Sequence, residues 1–424
     1  MIWLTENNDM ARNMNPAKGP AALAAAGLAL GATLLASAGA SAQVPEGFEI
    51  VEFAEGDYFA GPPRMNNCGQ IVYYQQVGPD WYDKEVFVYD NGRIMQISRT
   101  DHADRSPDIN DRGEVVWNRR PRGTHGKDIE IMRYRNGLID VVQRYDDGVR
   151  EPGINDLGHI VWPRSSEGDC EAPFVIMRLD ETGRKRMTPK DDITDQWPQI
   201  NNRGWIAWDH TDHCQNPRRG YIQLYRSSEI ITLPSAQDWS QLTTINDVGQ
   251  VAWSADFVEL WENGRTQVVA DPGRNPRLNN LGDCLFIRWH EDRRVWQTWL
   301  RRVSEGHEEY LRLVDEPRWN TSGDINDWGE ACWNFLTTPD PRNLASGQRI
   351  MRRTRTGDAD FDWDVDLADL SQFSACMTDP DWDEANQRGP EDCLCDCRFL
   401  DIDHDGDVDL NDFARFQNAF TGQR

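Results

Sequence analysis

The chain has 424 residues, of which 38% are hydrophobic and 18 are tryptophan, with a formal net charge of −26. That length and apolar content allow two packed units, and an acidic balance of this size argues against nucleic acid as a partner, because phosphate binding needs a basic footprint. The charge is lopsided: Gly357 to Arg424 holds 19 acidic and 4 basic residues, so this stretch reads as a separate module.

The first element is an export signal. An Ala/Leu-rich run from Ala21 to Ala36 follows Arg12 and Lys18, and Ala40-Ser41-Ala42 offers the small residues that a signal peptidase reads. Residues 1–42 are therefore expected to be a signal peptide cleaved after Ala42, placing the protein outside the cell or on its surface. An uncleaved anchor is the alternative for this run. No later segment is apolar enough to cross a bilayer, so no membrane span is expected in the mature chain.

From residue 44 to 356 one phrase returns seven times: Asn, then Asn or Asp, any residue, Gly, a few apolar residues and an aromatic. The copies begin at Asn66, Asn110, Asn155, Asn201, Asn246, Asn279 and Asn326, at intervals of 44 to 47 residues with a single interval of 33. Seven residues after each Asn stands Tyr73, Trp117, Trp162, Trp208, Trp253, Phe286 or Trp333. An Asn or Asp opens a tight turn, and the Gly takes a left-handed conformation without a Cβ clash. The β-branched and aromatic runs that follow, such as Glu114 to Trp117, are too short for helices. Further turns at Asn91-Gly92, Asn136-Gly137 and Asn263-Gly264 mark hairpins. Each copy is thus a small antiparallel sheet that must stack on its neighbours, and the expected fold is an all-β, seven-bladed β-propeller. Phe48 to Phe53 reads as an outer strand without inner partners, while the last copy lacks an outer strand. The first segment is expected to complete the last blade.

The run Asp104-Arg105-Ser106-Pro107, continuing through Ile109-Asn110-Asp111-Arg112-Gly113 to Val115-Val116-Trp117 and Ile129-Glu130-Ile131, resembles the repeat of TolB-like propellers over roughly residues 45 to 356. It uses Ile-Asn-Asp where that family usually has Trp-Ser-Pro-Asp.

The C-terminal residues 357–424 carry the clearest chemistry. Asp401, Asp403, Asp405, Asp407, Asp409 and Asp412 occupy positions 1, 3, 5, 7, 9 and 12 of a loop with Gly406 sixth and Val408 eighth. These positions suit Ca2+, which takes six to eight hard oxygen ligands from a wound loop. Asp358, Asp360, Asp362, Asp364, Asp366 and Asp369 repeat the pattern around Val365, with Trp363 in place of the Gly. An amphipathic helix follows each loop, Leu367 to Met377 and Leu410 to Phe420. Two loops each followed by one helix resemble a type I dockerin, a small calcium-binding module. The resemblance implies a cohesin-like protein partner, met at the tenth and eleventh loop positions, here Leu367-Ala368 and Leu410-Asn411.

Nine cysteines in an exported chain point to disulfides. Cys170 and Cys214, in the same loop of neighbouring copies, are the expected pair. Among Cys376, Cys393, Cys395 and Cys397 the spacing departs from the usual CxxC of zinc sites, so disulfides are expected there too.

No catalytic constellation stands out. His210-Thr211-Asp212-His213 could offer two imidazoles to a metal, but reads better as loop polarity. The sevenfold Asn, Gly and Trp are structural, since a catalytic residue has no reason to occur seven times. The expected function is an exported binding or scaffold protein that takes a glycan or protein on the propeller face and is tethered through its calcium module. The alternative is a carbohydrate-active enzyme, a polysaccharide lyase or glycoside hydrolase, docked into a polysaccharide-degrading assembly.

Overall fold

A computed structural model describes residues 42–424 except 125–127, 146–150, 166–172, 192, 213–218, 236, 238–240, 305, 338–344, 355–356, 360–364, 378–396, 398, 403–407 and 421–424. The signal run at 21–36, the expected Cys170–Cys214 bond, and Asp360, Asp362, Asp364, Asp403, Asp405 and Asp407 lie outside the described residues.

The strands fall into antiparallel groups of four, each following one copy of the repeat. Four of the groups are separate sheets built from consecutive strands, such as Thr194–Ile200, Ile206–Asp212, Arg219–Arg226 and Glu229–Thr232. Two more share one sheet through a single parallel pairing of Lys84 with Ala103. The remaining group is closed by the first strand of the chain: Phe48–Gly56 pairs antiparallel with Ser346–Arg353, from Phe48 opposite Arg353 to Gly56 opposite Ser346. The expected clasp is therefore present. Glu52 reinforces it, since its carboxylate accepts from Nε of the buried Arg349 at 3.1 Å and from Arg318 at 2.9 Å.

The repeat residues act as their chemistry requires. All seven turn glycines have positive φ, from 69° at Gly113 to 95° at Gly249. Both turn residues of Asn91-Gly92, Asn136-Gly137 and Asn263-Gly264 are left-handed, which matches the twist of the strands they join. The repeat aromatics are fully buried between sheets. Their indole N–H groups are satisfied there: Trp117 donates to Asp104 at 2.8 Å, Trp208 to Asp195 at 2.9 Å, and Trp333 to Asn320 at 3.0 Å. A buried indole without such an acceptor would forfeit about 1–3 kcal/mol.

Each repeat Asn does two things at once. Its Oδ1 accepts the backbone N–H four residues on, as Glu114 to Asn110 at 2.9 Å, and so fixes the turn. Its Nδ2 reaches across to the main-chain carbonyl of the next copy's Asn. Asn66 donates to Asn110 (3.0 Å), Asn110 to Asn155 (3.0 Å), Asn155 to Asn201 (2.9 Å), and Asn201 to Asn246 (2.9 Å). Asn246 donates to Asn279 (2.8 Å), Asn279 to Asn326 (3.0 Å), and Asn326 returns to Asn66 (3.4 Å). The circuit closes on itself.

Two outcomes test this architecture. Deleting residues 43–55 strips the outer partner from Ser346–Arg353 and should cause self-association, read by light scattering. Gly204→Val, at φ 74°, should destabilise by about 1–3 kcal/mol in a thermal or urea melt.

Candidate functional site

The strand leading into each Asn turn forms the inner edge of its sheet, and these edges enclose a cavity of about 170 Å³. The strands are not regular. Their register shifts between Arg105 and Asp108, Gln196 and Gln199, Gln241 and Thr244, Arg274 and Arg277, and Asn320 and Gly323. Left-handed residues sit in four of these bulges: Ser106, Trp197, Leu242 and Asn275. A bulge sets two residues against one and re-aims the side chain that follows. In four of the five that side chain belongs to the residue two before the ring Asn, and in the last copy the shift ends one residue earlier, at Gly323.

The position two before the ring Asn varies among the copies, with five residue types over seven. In ring order it supplies an arc of alternating charge, Arg277, Asp324, Arg64 and Asp108, and then a neutral arc of Gly153, Gln199 and Thr244. The carboxylates are held by main chain: Asp108 accepts from Ile154 N at 2.9 Å, and Asp324 from Met65 N at 3.1 Å. Arg64 Nε stands 4.0 Å from Asp108. Burial pushes the Asp108 carboxyl up to about 6, against the opposing pull of Arg64. Burial, followed by the charge of Arg64, pushes Arg277 down to about 10.

One step along the turn lies a second ring, of Asn67, Asp111, Asp156, Asn202, Asp247, Asn280 and Asp327. Each backbone N–H donates to the next member's Oδ1 at 2.7 or 2.8 Å, all the way round. The three asparagines use Nδ2 to bridge flanking aspartates, as Asn280 does to Asp247 at 3.2 Å and Asp327 at 2.8 Å. Asp111 and Asp156 are adjacent aspartates. Burial, and then the charge of Asp156, pushes Asp111 up to about 6.

The two C-terminal loops are built alike. Helix α1 (Leu367–Cys376) starts at N-cap Asp366, and helix α2 (Leu410–Ala419) starts at N-cap Asp409. The twelfth loop residue closes a capping box in both. Asp369 accepts from Ala359 N (2.6 Å) and Asp366 N (2.8 Å), and Asp412 from Ile402 N (2.6 Å) and Asp409 N (2.8 Å). Asp358, Asp366, Asp369, Asp401 and Asp412 are all buried. Val365 and Val408 plug a common core with Phe373, Leu400 and Phe416, and a Cys376–Cys397 disulfide ties α1 to the approach of the second loop. Among the described residues no cluster of three or more His, Cys, Asp or Glu is arranged to hold a metal; of the twelve loop aspartates, six lie outside them. Asp401 also accepts from Asn91 Nδ2 of the first sheet at 3.0 Å, and Phe399 packs edge-on against Trp328, 5.7 Å between centroids.

Of the His pair, His210 is engaged with the buried Asp195 at 2.7 Å, beside the Trp208 indole, and His213 lies outside the described residues. Its role is to support the sheet. The structure pairs Cys376 with Cys397, and Cys393 and Cys395 lie outside the described residues. The channel charges escape a sequence reading because they occupy a position near the Asn that does not repeat, outside the recurring phrase.

No family model and no curated protein matches the chain. Among solved structures it is similar to the β-propeller domain of the Trilobed protease from Pyrococcus furiosus, at 10% identity and a TM-score of 0.52 over 71% of this chain and 96% of that one. It is also similar to a chain of the mitotic checkpoint complex, at 10% identity and a TM-score of 0.50 over 80% of this chain and 100% of that one. A third similarity, to TolB from Acinetobacter baumannii, has 15% identity and a TM-score of 0.41 over 61% of this chain and 64% of that one. The fold is that of a β-propeller. Identities this low speak for fold alone.

The raised carboxyls set a pH dependence. Asp108 and Asp111 near 6 compare with about 3.9 in an unfolded chain. Between those values the native state holds more protons, so stability falls as pH rises through the window. The melting temperature, with calcium in excess, should be higher at pH 5.5 than at 7.5, and Asp108→Asn with Asp111→Asn should flatten the profile.

Proposed function

We propose that this protein is an exported seven-bladed β-propeller, residues 44–356, that binds a glycan or protein ligand. Residues 357–424 form a dockerin-like module that loads calcium and tethers the propeller to a partner protein. Seven turn asparagines in one closed hydrogen-bonded circuit support the blade count. The observation that carries the calcium reading is the duplicate hydrogen bonding of the two loop–helix units, with five carboxylates buried inside a stretch of strong negative charge.

Buried carboxylates that converge without cations repel one another at a cost of several kcal/mol. The donor set is hard oxygen throughout, which suits calcium; each carboxylate has four lone-pair sites, so the two backbone bonds at Asp369 and Asp412 leave room for a metal. Calcium would supply the positive charge that lets Asp358, Asp360, Asp362, Asp364, Asp366 and Asp369, and their counterparts Asp401, Asp403, Asp405, Asp407, Asp409 and Asp412, share a loop. The chain's own part is to pre-set the two ends of each loop through the capping box.

Leu367 and Leu410, both at the tenth loop position, are 66% and 71% exposed. Paired apolar side chains at equivalent sites are a docking surface for a cohesin-like partner rather than core.

Calcium titrated calorimetrically into the whole chain should bind with a stoichiometry of two, and Asp412→Ala should remove one site. Trypsin should cut at Arg415 readily in chelator and slowly in calcium. Equal cleavage in both conditions would overturn the calcium reading. Leu410→Ser should leave calcium binding intact and weaken capture of a cohesin domain by about tenfold or more.

A further inference from the structure

The channel wall holds an imbalance of hydrogen bonding that the folded chain does not resolve. Two guanidiniums, Arg64 and Arg277, bring ten N–H donors between them. Arg277 Nε is buried with no hydrogen-bond partner among the described residues. Arg64 Nη1 reaches only the neighbouring Pro63 carbonyl, at 3.3 Å, and its Nε is 4.0 Å from Asp108. The acceptors beside them, Asp108 and Asp324, are drawn toward backbone N–H groups of adjoining sheets. Across the cavity stand Gln199 and Thr244, with no side chain at Gly153. A volume of about 170 Å³ is far more than the ~15 Å³ that one water needs.

We propose that this cavity is a binding site for a small oxyanion, a carboxylate or a tetrahedral phosphate or sulfate, held between Arg277 and Arg64 with Gln199 and Thr244 as further polar contacts. A guanidinium fork matches either group with two parallel N–H bonds. The site is independent of the calcium reading, since none of its residues belongs to the C-terminal loops.

The charged groups that act most strongly on Asp108 are Arg64, Asp324 and Arg277, and Asp111, Asp156, Asp247 and Asp327 of the second ring line the same cavity. As pH falls through about 6, Asp108 takes up a proton and the arc passes from neutral to net positive, so anion affinity should rise.

Malonate and sulfate, titrated separately into the full chain by calorimetry, distinguish the two anion classes. Saturation by either supports the site; saturation by neither at millimolar concentration overturns it. Arg277→Met should weaken binding at least about tenfold while leaving the melting temperature unchanged or raised, because it removes a desolvated charge. Binding that this variant leaves intact lies elsewhere and overturns the proposal. Sulfate does not titrate in this range, so its affinity should rise about fivefold or more from pH 7.5 to 5.5, and Asp108→Asn combined with Asp111→Asn, the other cavity carboxyl raised to about 6, should abolish the change. A rise that persists in the double variant also counts against the site.

Discussion

The circuit of turn asparagines is the constraint on which the rest of the molecule depends. A four-stranded sheet of this size cannot bury its faces alone, and apolar packing between sheets is non-directional. The Nδ2-to-carbonyl bonds add direction: each sheet is fixed to the next at one point near the axis, from 2.8 to 3.4 Å. With the inner rim fixed, the buried aromatics at the seventh position past each Asn meet the neighbouring sheet in the same way each time. The first strand then closes the outer rim against Ser346–Arg353, so the assembly is tied at the axis by side chains and at the periphery by main chain.

The same geometry explains where variation is tolerated. The Asn, the Gly and the aromatic each have structural duties that recur in every copy, whereas the residue two before the Asn faces the channel with no duty common to all copies. Charge accumulates at that position in Arg64, Asp108, Arg277 and Asp324, on consecutive sheets. A scaffold of near-identical repeats thereby acquires a lopsided interior from substitutions that leave the asparagine circuit untouched. The start of the second C-terminal loop, Phe399 and Asp401, adjoins this frame through Trp328 and Asn91, which belong to ring and hairpin turns of the last and first copies, on either side of the closing seam.

Much of this is legible in the sequence because period-fixed features announce themselves. The turns, the aromatic strands, the clasp and the alternating aspartates with their valine plugs all follow from spacing. The innermost strands are harder to read, because Pro107, Pro198 and Pro276 argue against strand. In the fold these prolines sit within the register shifts, where a missing N–H costs no ladder bond. The second duty of each Asn is illegible for another reason: its acceptor lies 33 to 47 residues away in the chain, and 260 at the seam. The contact between Asn91 and Asp401 spans 310 residues, and no local pattern points to it.

The second ring carries a further lesson in its parity. Asparagine donors and aspartate acceptors alternate round it, but seven is odd, and no odd ring can alternate without one pair of neighbours alike. The mismatch falls at Asp111 and Asp156, and burial together with the adjacent charge makes Asp111 retain its proton to about 6. The number of repeat copies, rather than any choice of residue at that place, obliges this ring to have a defect. At that place two carboxylates stand side by side where every other pair joins a carboxylate to an amide, and taking up a proton relieves a repulsion whose position is set by topology.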